Sequence, residues 1–176
     1  MRSTTLNRIM IVGQCGSGKS TLAQRLGERT GIPVVHVDKI HWMPGWVERS
    51  KSEKTRLCLE VEGRDQWVFE GGHSMTWPSR LARADMVVWI DLPVSLRLRR
   101  VLWRSLTGWR RSRPDMAEGC PERLRMLPEF LHYIWTSRHS ARARIGSLLA
   151  TAPGRTEVVH LRSVRQVDDF VRTFER

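Results

Sequence analysis

The sequence predicts an α/β protein: a parallel sheet covered by helices on both faces, with a phosphate-binding loop at its first turn. Three observations carry this expectation. Strand-like and helix-like stretches alternate along the chain. The strand-like runs are apolar throughout instead of alternating, as strands buried on both faces are. Finally, Gly13-Gln14-Cys15-Gly16-Ser17-Gly18-Lys19-Ser20 fits GxxxxGK[ST] without a mismatch, directly after the first apolar run.

The elements follow in order. Arg8-Ile9-Met10-Ile11-Val12 is a short buried strand ending in glycine. A helix runs from about Lys19 to Thr30, with Leu22, Ala23 and Leu26 at helical spacing and Gly31 and Pro33 to stop it. Residues 33–38 read as a second strand. Ser50 and Glu53 form a capping-box pattern that opens a helix to about Glu62. Trp67–Glu70 is a third strand, stopped by Gly71-Gly72, and residues 85–91 are a fourth. An arginine-rich helical stretch follows Pro93. Residues 157–161 form the fifth strand, and Ser163 with Gln166 caps a terminal helix. Residues 107–121, rich in Gly, Arg and Pro, break the alternation. A loop of that length is usually functional, and it reads as a lid on a single domain spanning 1–176.

Composition narrows the class. A chain of 176 residues with 40% hydrophobic residues can bury one real core. No apolar run approaches the roughly 18 residues of a membrane span, and the polar start, residues 1–7, does not resemble a signal peptide. A cytoplasmic location is expected, with no membrane partner. The three cysteines lack CxxC spacing, which argues against a disulfide framework or zinc site. The net charge of +12 comes mostly from arginine. It attracts nucleotides, nucleic acids and acidic lipids alike and selects none of them.

The P-loop carries the chemistry. Gly13, Gly16 and Gly18 let the backbone turn with its amides inward, forming an anion nest with Ser17. The following helix, entered through Ser20 and Thr21, adds the positive end of its dipole. Lys19 can reach the β- and γ-phosphates of ATP, and the Ser20 hydroxyl can ligate Mg²⁺.

Carboxylates sit where ligands of such sheets bind, beyond the carboxyl ends of the strands. Asp38 can act as the base or orienting group for an acceptor hydroxyl, or it can cap the next turn. Glu70 can position metal or water, or pair with a lid arginine. Asp91, before Leu92-Pro93, reads better as a structural turn acid than as a catalyst. Arg97, Arg100 and Arg104 fall three and four apart on one helix face. Arg99, Arg110, Arg111 and Arg113 crowd the same stretch, and residues 93–113 contain no acidic side chain. That bias favours binding of anions over a merely solvated face: Arg100 and Arg104 as transition-state cations, Arg110 and Arg111 on the nucleotide. Trp42 and Trp46 flank Met43-Pro44-Gly45. They can stack a substrate ring or pack the next helix onto the sheet.

On three stretches the chain resembles the bacterial FlaR-like family, often labelled "DNA topology modulation protein", among the adenylate- and shikimate-kinase-like P-loop proteins. These are residues 8–13 leading into the P-loop, Val37-Asp38-Lys39-Ile40-His41-Trp42 with Pro44-Gly45-Trp46, and residues 113–123. The resemblance implies a five-stranded core in the order 2-3-1-4-5, a mobile lid and an ATP-dependent phosphotransferase. It also implies that Lys19 and Ser20 hold phosphate and Mg²⁺, that Asp38 faces the acceptor, and that Arg100 is a lid-hinge arginine. The chain departs from the family at Glu70-Gly71-Gly72-His73, where the family more often has Asp-Gly-Asn-Tyr. Gly-Gly there is similar to shikimate-kinase-like acceptor sites.

Two functions compete at this point. One is a kinase passing the γ-phosphate of ATP to a nucleotide or other small hydroxylated acceptor. The other is an ATP-dependent, DNA-associated regulator, for which charge is the only direct sequence support, since no helix-turn-helix, zinc finger or aromatic RNA motif is visible. Any nucleic-acid binding by the kinase itself should be weak and non-specific. A nucleotide sensor without turnover is a third, weaker reading.

Overall fold

In a computed structural model that describes residues 6–108, 113–121 and 124–174, the chain opens with β1 (Arg8–Gly13), α1 (Lys19–Thr30) and β2 (Val34–His36). It continues through α2 (Val37–His41), the hairpin strands β3 (Trp42–Met43) and β4 (Val47–Glu48), α3 (Lys51–Glu62), β5 (Trp67–Glu70) and α4 (Trp77–Arg83). It closes with β6 (Met86–Ile90), α5 (Val94–Thr107), α6 (Leu127–Thr136), α7 (Arg138–Leu149), β7 (Glu157–Leu161) and α8 (Val164–Arg172).

Five strands form one parallel sheet in the order β2-β5-β1-β6-β7. This is the 2-3-1-4-5 order of the sequence expectation. Because side chains alternate across a strand, the fully apolar runs feed two separate cores. Ile9, Ile11, Val68, Val88 and Ile90 pack with Leu22, Ala23 and Leu26 of α1 and Val171 of α8. On the other face Met10, Val12, Trp67, Phe69 and Val87 pack with Cys58 and Val61 of α3, Leu81 of α4 and Ile145 and Leu148 of α7.

Local signals decide the helix ends. Ser50 Oγ accepts from the Glu53 amide, as a cap should, but the Glu53 carboxylate turns to Arg49 at 2.7 Å instead of reaching back. Ser163 accepts from the Gln166 amide, and Gln166 Oε1 accepts from the Arg162 amide. Gly31 closes α1 through its amide to Gly27 O.

The structure corrects two expectations. The second strand ends at His36, so Asp38 sits in the first turn of α2, not at a strand end. Tertiary packing overrides the β-propensity of Val37 here. Val37 is buried against Gly71, where a Cβ would come within 2.9 Å of the valine Cβ; only glycine leaves room, and its φ of +116° suits no side chain. Trp42 and Trp46 do not pack a helix onto the sheet. They lie on the β3–β4 hairpin, outside both sheet cores, in edge-on contact at 5.3 Å. The hairpin holds the segment 119–121: Gly45 N donates to Gly119 O, Cys120 Sγ to Met43 O, and Trp46 Nε1 to Pro121 O.

Candidate functional site

The P-loop leaves β1 and enters α1 at the carboxyl edge of the sheet. It is pinned from behind by α5. A Cβ on Gly16 would lie 2.7 Å from Arg97 O, so only glycine, here at φ +77°, lets the loop settle on that helix. Arg97 is buried and donates to Leu92 O at 3.2 Å and Cys15 O at 3.4 Å. Arg100 donates to Ser17 O at 3.2 Å. The arginine face read from the sequence therefore splits: Arg97 is a strut inside the fold, whereas Arg100 and Arg104 reach an open cleft. Gln14 Nε2 ties the loop tip to Arg138 O at 2.6 Å. Lys19 Nζ donates to Gln14 O at 3.3 Å. Ser17 Oγ is buried in this cradle with no hydrogen-bond partner among the described residues, a donor that a phosphate oxygen would satisfy.

Parallel register brings His36 opposite Glu70 at the ends of β2 and β5. Both are buried. Glu70 Oε1 accepts from His36 Nδ1 at 2.7 Å and from Ser20 Oγ at 3.0 Å. Among the described residues the hydrogen-bond partners of Glu70 are thus the P-loop serine and a histidine. Among the described residues no group of three or more His, Cys, Asp or Glu could hold a metal by itself. A serine hydroxyl beside one carboxylate, open to phosphate oxygens and water, is nonetheless a donor set that fits Mg²⁺, which keeps several waters and takes one or two protein ligands.

Asp38 faces Glu70, Lys19, Arg113 and Asp115. Burial, reinforced by the Glu70 carboxylate, pushes its carboxyl above the ordinary range, while Lys19 and Arg113 pull the other way. Behind the Gly71-Gly72 turn stands a buried pair: Arg80 donates to Glu62, Gly71 O and Thr76 Oγ1, and stacks 3.7 Å over the Phe69 ring. Asp91 accepts from Arg142 at 2.9 Å and His160 at 3.1 Å, tying β6, β7 and α7 together away from these groups.

Three cavities meet at Asp38 and Cys15. The first, about 540 Å³, is lined by Gly16, Ser17, Gly18, Lys19, Ser20 and Thr21, by Asp38 and Glu70, by Arg100, Arg104 and Arg113, and by the start of α8. The second, about 460 Å³, lies beyond Lys19 and takes in Gly13, Gly71, Gly72, His41, His73 and Arg144. Burial, then Lys54, pushes the His41 and His73 imidazoles below their usual range, so both are neutral near pH 7. The third, about 330 Å³, is walled by Trp42, Trp46, Phe130 and Tyr133. The residues given a binding or catalytic role from the sequence each line one of these cavities, apart from Arg110 and Arg111, which lie outside the described residues; Asp91 and Arg99 line none of the three. Sequence reasoning missed His36, Asp115 and the walls from α6. The strand order itself signals His36, because pairing β2 with β5 sets the residue ending one beside the residue ending the other.

The fold has close counterparts among solved structures. Shikimate kinase from Acinetobacter baumannii, in complex with shikimate, superposes with a TM-score of 0.59 at 19% identity, over 96% of this chain and 90% of that one. Shikimate kinase from Bacteroides thetaiotaomicron gives 0.57 at 16% identity, over 96% of each chain. Deoxyadenosine kinase from M. mycoides with bound dATP gives 0.55 at 12%, over 94% of this chain and 98% of that one. No protein-family model and no curated protein matches the sequence. At such identities the likeness speaks for architecture: the chain has the α/β P-loop fold of the shikimate and nucleoside kinases.

Proposed function

We propose that this protein is an ATP- and Mg²⁺-dependent phosphotransferase that moves the γ-phosphoryl group of ATP to a hydroxyl of a small acceptor. One observation carries the reading: the P-loop cleft and the cavity beyond it share Lys19, Asp38 and Cys15 and otherwise diverge. A donor in one and an acceptor in the other would meet at a lysine and a carboxylate, the two groups in-line transfer uses.

In this reading the loop amides, Ser17 and Lys19 cradle the phosphates. Ser20 and Glu70 hold Mg²⁺, which neutralises phosphate charge when bound. Asp38 takes the proton of the acceptor hydroxyl as its oxygen bonds to the γ-phosphorus and the bond to the β–γ bridging oxygen breaks, releasing ADP. Its raised basicity suits that task. Arg100 and Arg104 offset the charge spread over the transferring group. Residues 107–121 serve as the lid, of which 119–121 are held by the β3–β4 hairpin and Arg113 lines the cleft, with Arg110 and Arg111 assigned to the nucleotide. FlaR-like family membership rests on the three stretches named above. The free thiols of Cys15, Cys58 and Cys120 accord with a cytoplasmic setting.

The net charge of +12 also supports a second reading, an ATP-dependent DNA-associated regulator. A screen for ATP consumption against hydroxylated metabolites, with and without duplex DNA, separates the two. Acceptor-dependent ADP release without DNA supports the kinase. ATP turnover that requires DNA and no acceptor overturns it.

A further inference from the structure

The third cavity has no part in the mechanism above, yet it opens onto the same Asp38. Its walls come from three separate places: Trp42 and Trp46 on the hairpin, Met116 on the segment that rests on it, and Leu127, Phe130 and Tyr133 on α6. Aromatic side chains that serve only as core pack at crystal-like density and leave no room between them. Here they wall an open cleft of about 330 Å³, within the range of about 300–1,000 Å³ typical of small-molecule sites. Trp46 is held at φ +67°, a conformation bulky residues rarely adopt and keep only where their surroundings enforce it. Its indole is fixed by the 3.0 Å bond to Pro121 O.

The charge lining this cleft is balanced. Asp38 and Glu129 offset Arg104 and Arg113, and Arg113 pairs with Asp115 at 3.2 Å. Among the described residues no surplus of cations remains there to hold a phosphate or carboxylate. The adjoining cavity beyond Lys19 presents neutral hydrogen-bonding groups at His41, His73 and Ser74, which suit hydroxyls, with its cations apart from them: Lys19 and Arg97 at the P-loop and the exposed Arg144 on α7.

From this juxtaposition we infer that the phosphoryl acceptor is an uncharged alcohol bearing a planar aromatic ring, of the nucleoside kind, with its ring in the hairpin–α6 cleft and its hydroxyl at Asp38. Aromatic walls hold such rings by stacking, with little dependence on which ring it is. The inference rests on the phosphotransfer reading and narrows its acceptor.

The test is binding, read by saturation-transfer NMR in saturating non-hydrolysable ATP analogue and Mg²⁺, so that the nucleotide cleft is filled. The probes are adenosine and thymidine, their 5′-monophosphates, and ring-free glycerol and ribitol. A nucleoside should bind through its ring protons, and more tightly than its own monophosphate. Leu127→Trp, which fills the cleft, should weaken it by about tenfold or more, with affinity for the ATP analogue unchanged. Trp46→Ala should do the same; if losing the Pro121 bond unfolds it, Leu127→Trp decides alone. Binding only of ring-free probes, a monophosphate preferred over its nucleoside, no nucleoside response, or nucleoside binding untouched by Leu127→Trp overturns the ring site. Calorimetry without any nucleoside separates the levels. Failure of wild-type protein to bind the ATP analogue removes the phosphotransfer reading and the ring site with it, whereas analogue binding without a ring response removes the ring site alone.

Discussion

Replacing His36 with leucine tests whether the buried pair beneath the P-loop organises the metal site. His36 and Glu70 are only 6% and 2% exposed, and the 2.7 Å bond from Nδ1 reaches the same Oε1 that accepts from Ser20. Leucine removes the donor and leaves the carboxylate buried with one partner fewer. Losing a hydrogen bond to a charged group costs about 1.5–3 kcal/mol. At roughly 2–4 °C per kcal/mol for a chain of this size, the apo melting temperature should fall by about 3–12 °C. Stability alone does not bear on function, so a second measurement is needed. A residue that orients a ligating carboxylate typically affects metal affinity about 10–100-fold, so calorimetric ATP titrations at stepped Mg²⁺ should show the Mg²⁺ requirement rising by that factor. His36→Asn, which keeps an N–H donor near Nδ1, should recover most of both losses. A leucine variant that melts lower but needs no more Mg²⁺ would show the pair to be a structural tie and refute the positioning role.

Lys19→Ala should abolish tight ATP–Mg²⁺ binding while leaving the fold intact, because among the described residues its hydrogen bond is to Gln14 O alone; wild-type affinity in a folded variant sinks the P-loop assignment. Asp38→Asn should lower the transfer rate by about 10²–10⁴ with ATP affinity nearly unchanged, and a loss under about threefold makes Asp38 structural. Burial raises the Asp38 carboxyl, so the folded state holds its proton more tightly than the unfolded chain. The ionised form is therefore a stability cost that appears as pH rises, and the wild-type rate should climb with pH through a value above the ordinary carboxylate range. The Asn variant should melt higher than wild type near pH 7 and lose that ascending limb; a limb at ordinary carboxylate pH, or a lower melting point, contradicts the assignment. Arg100→Gln with Arg104→Gln should slow transfer strongly while changing duplex affinity only in proportion to lost charge, in gel shifts across salt concentrations. Nanomolar, ATP-dependent DNA binding at physiological salt without any phosphorylated acceptor would favour the regulator over the kinase, since non-specific attraction gives only about 10⁻⁴–10⁻⁶ M.

What the sequence makes legible and what it hides follow different physics. The five core strands and α1 are readable because each is fixed by a local, redundant signal: a run of buried apolar residues, a glycine stop, a cap. The P-loop is readable for the same reason, since backbone geometry alone demands glycines at fixed spacing. Asp38 and Glu70 are readable as residues, yet their settings are not. The turn into α2 depends on Gly71 admitting Val37 from a strand more than thirty positions away, and the Glu70–His36 bond depends on sheet register. The arginine face shows the limit of spacing most clearly. Positions 97, 100 and 104 share a helix face, but Arg97 meets the back of the P-loop and spends its donors on Leu92 O and Cys15 O, while Arg100, one turn on, meets its open side. Periodicity assigns a face; only the depth at which each residue meets the neighbouring loop decides whether its charge is a strut or is left to meet a phosphate. The hairpin–α6 cleft lies furthest from the sequence, because its walls come from three separate stretches, the hairpin, the segment around Met116 and α6, that only the folded chain brings together. Under the proposed function this has a consequence for design of the site: substitutions within the P-loop would act on ATP through local geometry, whereas substitutions at Trp46, Met116 or Leu127, which line the third cavity and not the P-loop cleft, would act on the acceptor.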